Sequence, residues 1–263
     1  MKYSFMSFSC PELSLDDMLS VAKRFGYDGI EPRLDAGHKH GVEVGLAESV
    51  SDRFRAKSES VGIPIWCLAT SCRFADPGDS EKQVEEALER IELAGELGAH
   101  RIRVFGGRFP DDVSREDAIQ QVSESLGKLA DRARERDVVV CMETHDAWCN
   151  PVHVAEVMER VDHPNIGVNW DIMHPVRNGF ATIEESFETL SGWVKHVHFH
   201  DGVVTDGKLQ LVPIGEGTID HRAAVGLLKG ANYDGYLSGE WIGWEPWSAH
   251  LPRELATMKG YEP

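Results

Sequence analysis

Short apolar runs alternate with amphipathic segments along the whole chain. Apolar runs that stop at Gly, Pro or an acidic residue are typical of buried strands, whereas apolar residues that recur every three or four positions are typical of helices. The strand pattern occurs in eight segments: 3–8, 29–34, 64–69, 101–105, 138–143, 166–171, 194–198 and 234–240. The helical pattern occurs in eight others, which begin near residues 15, 50, 80, 114, 151, 183, 221 and 252.

This alternation predicts an α/β protein. The chain has 263 residues, close to the roughly 250 residues of a barrel built from eight β/α units. No linker, low-complexity segment or long run of like charge interrupts it. We therefore expect a (β/α)8 TIM barrel formed by a single domain over residues 1–263.

Four consecutive predicted strands end in a residue that binds divalent metals: Glu143, Asp171, His198 and Glu240. The intervals of 28, 27 and 42 residues are each long enough for one β/α unit. The carboxyl ends of parallel barrel strands lie on one face, so the four should meet there. A surface salt bridge explains one acidic strand end equally well, but not four in succession. Three carboxylates and one imidazole favour Mn²⁺, with Mg²⁺, Co²⁺, Fe²⁺ or Zn²⁺ as alternatives.

Further histidines are expected at the same mouth of the barrel. His174 follows Asp171 by three residues, so it would contact a substrate hydroxyl, bind a second metal or orient Asp171. His145 lies two residues after Glu143 and is either a substrate contact or an exposed loop residue. The histidines at 196, 198 and 200 share one face of a strand, and the alternation alone does not decide which of them is the ligand.

Charged and aromatic residues near other strands are candidate substrate contacts. Glu31 lies in the second predicted strand and Arg103 in the fourth, and either could bind substrate or support the site. Arg103 could equally be a buried ion-pair partner. Six of the seven tryptophans, Trp66 and Trp241 among them, fall near predicted strand ends or loops of this face. Because aromatic rings suit the apolar faces of sugars, Trp241 is predicted to bind substrate, although core packing would also explain it.

The net charge of −17, from 44 acidic and 27 basic residues, limits the partners. Such a surface repels nucleic acid and anionic membranes, and no apolar run is long enough to cross a bilayer. The five cysteines include no CxxC pair, and the polar start of the chain does not resemble a secretory signal. Free thiols and a cytoplasmic location are therefore expected.

Several short motifs carry a resemblance to a known family: GYDGIE, GAHRIRVFGG, MET, WDIMH, HVHFHD, GEGTID and GEW. On these motifs, and over essentially its whole length, the chain resembles the xylose isomerase-like TIM-barrel superfamily, which includes sugar phosphate isomerases, epimerases and the endonuclease IV group. The resemblance implies that Glu143, Asp171, His198 and Glu240 bind one divalent metal. It also implies that the two glutamates form an acid/base pair and that His174 contacts the substrate.

The resemblance further implies a metal-dependent isomerase or epimerase of a small sugar, keto-sugar or inosose. The reaction would remove a proton next to a carbonyl and pass through an enediolate. One alternative is a dehydratase of an inosose or a 3-dehydroshikimate-like substrate, and another is a non-catalytic barrel that binds metal or sugar. Ketose 3-epimerases usually carry an Arg soon after the seventh strand, where residues 201–204 read DGVV. The expected partner is a small polyhydroxylated molecule, and the protein could form a homo-oligomer.

Overall fold

Seven parallel strands form one curled sheet in the computed structural model, which describes residues 1–262. The strands, in chain order with a separate hairpin, are β1 (Lys2–Phe5), β2 (Cys67–Arg73), β3 (Arg101–Phe105), β4 (Val139–Glu143), β5 (Ile166–Asp171), β6 (Val194–Phe199), β7 (Asp201–Thr205), β8 (Lys208–Val212) and β9 (Tyr236–Gly239). The sheet runs β1-β9-β6-β5-β4-β3-β2, and β7 and β8 pair only with each other. When the hairpin is set aside, the strands from β2 to β9 pair in chain order. The last strand, β9, also pairs with the first, β1, as a closed barrel requires.

The segment 29–34 occupies the eighth position of the ring without forming a regular strand. Three isolated parallel bridges join it to both neighbours: Met6 with Glu31, Ile30 with Ile65, and Arg33 with Ala69. Pro32 lies in the middle of this segment and has no N–H to donate, so a continuous ladder cannot form. The prediction of a strand at 29–34 is thus wrong as regular secondary structure, but the segment closes the barrel between β1 and β2.

Helices surround the ring: α1 (Leu15–Phe25), α2 (Glu48–Val61), α3 (Ser80–Leu97), α4 (Arg115–Glu135), α5 (Pro151–Val161), α6 (Met173–Arg177), α7 (Ile183–Leu190), α8 (His221–Gly230) and α9 (Trp247–Lys259). The predicted α/β barrel is confirmed. Ser14 accepts a hydrogen bond from the Asp17 N–H at the start of α1, as its sequence position predicts. Within residues 1–262, every helix is too short or too polar to cross a bilayer.

Inside and outside alternate along each strand of the ring. On β3, Ile102 and Val104 are fully buried against the surrounding helices, whereas Arg103 faces Glu143 inside the barrel. All five cysteines are buried and free, as expected.

Two elements near the carboxyl ends of the strands were not predicted. The helix α6 has five residues, too few to show a helical repeat. The hairpin of β7 and β8 turns at Asp206 and Gly207, which both have positive φ, the geometry of a type I′ turn. The Asp-Gly pair between two apolar runs was therefore an available signal for this hairpin.

The residue before Glu240 must be small. A Cβ added at Gly239 would lie 2.1 Å from the Trp241 ring, which is fully buried. Gly239→Ala is therefore expected to lower the free energy of unfolding by about 1–3 kcal/mol, because Trp241 must move. Gly127→Ala is the control: Gly127 is exposed on α4 with nothing within 4 Å, and alanine there should add about 0.5–1 kcal/mol. Urea denaturation checks both variants, and unchanged stability of Gly239→Ala would contradict this packing.

Candidate metal centre

Four strand-end side chains converge at the carboxyl mouth of the barrel: Glu143 of β4, Asp171 of β5, His198 of β6 and Glu240 just after β9. Each offers one ligand atom, and these atoms all lie within 4.8 Å of one another. The four strands are consecutive neighbours in the sheet, which explains why residues far apart in the chain meet here. All four side chains are buried.

Asp171 is held rigidly by one of its two carboxylate oxygens. Its Oδ1 accepts hydrogen bonds from the backbone N–H groups of Met173 and His174, at 2.8 and 3.0 Å, at the start of α6. Its Oδ2 is buried without a well-aligned hydrogen bond. A buried carboxylate oxygen of this kind is costly unless a cation neutralises it. The donor set fits a divalent cation among the four residues, and Asp171 Oδ2, which lies 3.3 Å from His200 Nε2 without a well-aligned hydrogen bond, is available to such a cation.

His198 connects the cluster to a carboxylate beneath it. Its Nδ1 lies 3.2 Å from Glu143 and 3.6 Å from Glu240. Its Nε2 lies 3.0 Å from one oxygen of Glu31, and the other oxygen of Glu31 lies 2.8 Å from His196 Nε2. Both Glu31 oxygens thus face imidazoles, and the residue is fully buried. Glu31 therefore lies where it can orient His198, the supporting role that the sequence left open beside substrate contact.

The charges of Glu31 and His198 support each other. Burial alone would raise the pKa of Glu31, but His198 and His196 outweigh it and hold that pKa well below its usual value. Burial alone would lower the pKa of His198, but Glu31 and Glu143 raise it well above its usual value. Without a metal, His198 is thus a cation among carboxylates.

Arg103 makes the buried ion pair that was its alternative role. Its Nε lies 3.1 Å from Glu143 Oε2, and both side chains are 1% exposed. Its Nη1 donates to the Thr70 carbonyl at 2.9 Å. Burial would raise the pKa of Glu143, but Arg103 and then His198 lower it. Arg103 therefore supports Glu143 from below, and only Oε1 of that glutamate faces His198.

Two other groups of three residues could hold a metal among residues 1–262: Glu31 with His196 and His198, and Asp171 with His174 and His200. The first is already satisfied by short carboxylate–imidazole contacts. In the second, His200 Nε2 lies 3.3 Å from Asp171, and its Nδ1 donates to the Glu240 carbonyl at 3.0 Å. The group of four offers the most ligands and shares one member with each of the others.

His200 joins the site although the sequence did not single it out from its neighbours. Burial would lower its pKa, but Asp171 and then Glu240 raise that pKa to about 9. Its backbone carbonyl lies 3.1 Å from His221 Nε2, which fixes the start of the following loop. The sequence signal that could have placed His200 in the site is its spacing of two residues from His198, which puts both on the same face of the strand.

A cavity of about 300 Å³ opens beside the cluster. Its polar lining residues are Glu240, His145, His174, Arg177 and His200. Its aliphatic lining residues are Leu209 and Leu211 of the hairpin and Ile242. Glu240 is the cluster member that lines this cavity, whereas Glu143 lies beneath it. The cavity suits a small molecule with one polar and one apolar side.

His145 and His174 stand together at the cavity wall, with ring centroids 4.6 Å apart and edge to face. Burial would lower the pKa of His145, but its contact with Asp146 at 3.0 Å raises it. Burial lowers the pKa of His174 despite Asp171. The structure thus places both predicted histidines where a substrate could reach them.

The glycine turn that follows the hairpin has a structural explanation. The Asp201 carboxylate accepts hydrogen bonds from the N–H groups of Gly215 and Gly217, at 3.0 and 3.1 Å. A Cβ at Gly217 would lie 2.0 Å from that carboxylate, so glycine is required. Asp220 then caps α8 through the Ala223 N–H.

The cavity that Glu240 lines has no tryptophan in its wall among the described residues. Trp241 is fully buried and packs edge to face on Phe199, away from the cavity that Glu240 lines. Trp66 precedes β2 and stacks on Tyr236 at the opposite mouth, with centroids 4.2 Å apart. The expectation of an aromatic substrate contact at Trp241 is therefore replaced by the core-packing alternative.

Known proteins share this architecture. A curated relative, a 3-dehydroshikimate dehydratase of Bacillus anthracis, is 22% identical over 262 residues, which cover 92% of this chain and 91% of the relative. The crystal structure of the probable 3-DHS dehydratase AsbF from Bacillus anthracis has a TM-score of 0.81 at 22% identity and covers 98% of this chain and 99% of that chain. The 3-keto-D-glucoside 4-epimerase YcjR from E. coli has a TM-score of 0.80 at 18% identity, with 99% of each chain covered.

The two structural likenesses establish a common fold at these low identities. The family described as xylose isomerase-like TIM barrel matches residues 19–260, nearly the whole chain. The proteins that the chain resembles are dehydratases and sugar epimerases, which are enzymes. The chain belongs to the xylose isomerase-like TIM-barrel family.

Proposed function

We propose that this protein is a divalent-metal-dependent enzyme that removes a proton next to the carbonyl of a small polyhydroxylated substrate, and so isomerises or epimerises it. The observation that carries the proposal is the position of Glu240. This carboxylate belongs to the cluster of four ligand atoms and also lines the cavity beside it. A base must reach the proton that it removes, and this position meets that requirement.

The four-residue cluster is the proposed metal site, and Mn²⁺ is the proposed ion because most of the ligands are carboxylates. A divalent ion there would supply a Lewis acid that stabilises negative charge on the substrate oxygen. His198 would bind through Nδ1 while its Nε2–H donates to Glu31. That carboxylate–imidazole pair fixes the ring orientation and makes the imidazole a stronger ligand.

The two glutamates have different access to the substrate. We assign proton removal to Glu240, which faces the cavity. Glu143 has one oxygen paired with Arg103 and the other close to His198. The proton is returned by Oε1 of Glu143, the oxygen that Arg103 does not hold, or by His145, whose raised pKa suits a donor. His174 is the proposed contact for a substrate hydroxyl.

Dehydration is the second candidate, and the curated relative favours it. The 3-dehydroshikimate dehydratase matches 92% of this chain. Loss of a β-hydroxyl needs the same proton removal and then an acid at the leaving oxygen. The imidazoles of His145 and His200 line the cavity and can supply that acid.

Solvent isotope uptake tests the proposal and does not depend on the product. Small ketoses, inososes and 3-keto sugars are incubated with the Mn²⁺-loaded protein in D₂O. Deuterium next to the carbonyl is expected in at least one of them, with or without loss of water. A protein that binds Mn²⁺ but exchanges no C–H bond in any of these substrates would be a non-catalytic binding barrel.

Metal content tests the ligand set. Asp171→Ala and His198→Ala each remove a ligand from the group of four and are expected to lose the bound ion. His100→Ala, which changes a half-exposed imidazole at the opposite mouth, is the control and should keep it. Elemental analysis after dialysis measures the occupancy. Full occupancy in both ligand variants would show that residues other than these four hold the ion.

Metal affinity is expected to rise with pH. Burial lowers the pKa of His198, but Glu31 and Glu143 raise it well above its usual value, so the metal must displace a proton. Below that pKa, one displaced proton makes the apparent affinity rise about tenfold per pH unit. Calorimetric titration with Mn²⁺ at pH 6 and pH 8, in buffers of different ionisation enthalpy, measures the effect. An affinity that does not change with pH would mean that no proton leaves.

Glutamine substitutions separate the roles of the two glutamates. Glu240→Gln should keep part of its metal but lose about 10²–10⁴ in rate, the usual contribution of a general base, and should not exchange substrate protons. Glu143→Gln leaves Arg103 buried without its carboxylate, so it should also lose stability, on the order of 3 kcal/mol. Wild-type turnover in Glu240→Gln would rule out this carboxylate as the base.

A further inference from the structure

A second cavity opens beside the first. It measures about 500 Å³ and shares His145, His174 and Arg177 with the cavity that Glu240 lines. The two cavities are therefore adjacent, with the paired histidines and Arg177 lining both of them. A substrate that places its reacting carbon near Glu240 can extend past His174 into the second cavity.

Two arginines line this second cavity, Arg177 at the end of α6 and Arg108 in the loop after β3. Arg177 Nη2 lies 3.3 Å from His174 Nδ1. Neither guanidinium forms an ion pair with a carboxylate among residues 1–262. Most other arginines of this acidic chain do, as Arg90, Arg132 and Arg160 illustrate.

The acidic groups of the second cavity form no ion pair with these arginines among residues 1–262, although the charge of Arg108 contributes to the lowered pKa of Asp146. Asp146 is engaged by His145, whose Nδ1 lies 3.0 Å away. Asp111 is exposed at the rim and forms no ion pair within the described residues. Within residues 1–262 of this chain, whose net charge is −17, two arginines without an ion pair thus line one cavity.

We propose that the second cavity binds an anionic group of the substrate, a carboxylate or a phosphate, through Arg177 and Arg108. This proposal rests on the proposed function in one respect: the remainder of the same substrate would lie beside Glu240. A guanidinium presents parallel N–H donors that match both kinds of oxyanion. The acidic surface repels anions elsewhere on the protein. The local positive charge of the two arginines therefore favours substrates that carry an anionic group.

The placement of Arg177 connects this subsite to the metal centre. Asp171 Oδ1 holds the first backbone N–H groups of α6, and Arg177 lies one helical turn after His174 on that helix. The ligand, the substrate histidine and the arginine are therefore fixed by one short element. An anion on Arg177 would set the distance of the reacting carbon from Glu240.

Binding of matched sugars tests the subsite without metal or turnover. D-glucuronate, D-glucose 6-phosphate and D-glucose are titrated into metal-free protein by calorimetry, so that no metal can hold the anion. At least one of the two anions is expected to bind at least about tenfold more tightly than glucose, as one charge-assisted hydrogen bond allows. Tighter binding of glucuronate identifies a carboxylate as the source, and tighter binding of glucose 6-phosphate identifies a phosphate.

Arginine variants assign the preference to this cavity. Arg177→Met and Arg108→Met should each remove most of the preference for the anion, while Arg134→Met, an exposed change in the last turn of α4, should keep it. Arg108 is exposed, so its variant remains informative if Arg177→Met does not fold. Equal binding of anionic and neutral sugars by the wild type, no binding of either anion, or a preference that survives both substitutions would overturn the proposal.

The outcomes also separate this subsite from the proposed function. An anion preference that depends on Arg177, in a protein that exchanges no substrate proton, refutes the proposed reaction and leaves the subsite standing. Proton exchange on neutral sugars, with no anion preference, refutes the subsite and leaves the reaction standing.

Discussion

The structure depends on how the barrel neutralises four buried carboxylates: Glu31, Glu143, Asp171 and Glu240. Each would cost several kcal/mol inside the protein without a partner. Arg103 offsets one of them, and His198 and His200 are kept as cations because the remaining carboxylates raise their pKa values. A divalent ion among the four residues would replace the Nδ1 proton of His198. The same charge balance thus stabilises the metal-free protein and suits the metal site that we propose.

The sequence predicted the ring and the convergence of four strand-end residues because both follow from local pattern. Each apolar run ends at one of these residues, and a parallel barrel brings consecutive strand ends to one face. The contacts of Glu31 could not be predicted in this way. His196 and His198 reach Glu31 across 165 and 167 residues, and only closure of the ring through the irregular segment around Pro32 brings them together. The pairing of Arg103 with Glu143 was foreseen only as an alternative role.

The cavity was predicted least well because its walls come from elements outside the repeating β/α pattern. Aromatic residues near strand ends were expected to face the substrate, yet Trp241 packs into the core. Leu209 and Leu211 take that place on a hairpin whose only sequence signal is the turn at Asp206 and Gly207. Loops after the strands vary without disturbing the ring, so they set the shape of a barrel's binding site.

The division between ring and loops also bears on which reaction follows proton removal. The ring supplies Glu240 and the proposed metal ligands, which suit any substrate with an acidic C–H next to a carbonyl. Isomerisation needs a second group that returns the proton to carbon, and because Arg103 holds Oε2 of Glu143, this step falls to Oε1 of that glutamate or to His145. Dehydration needs an acid beside a departing hydroxyl, and His145 and His200 line the cavity where that hydroxyl would lie. The position of the hydroxyl relative to these imidazoles, set by the part of the substrate held farther along the cavity, therefore decides between the two outcomes.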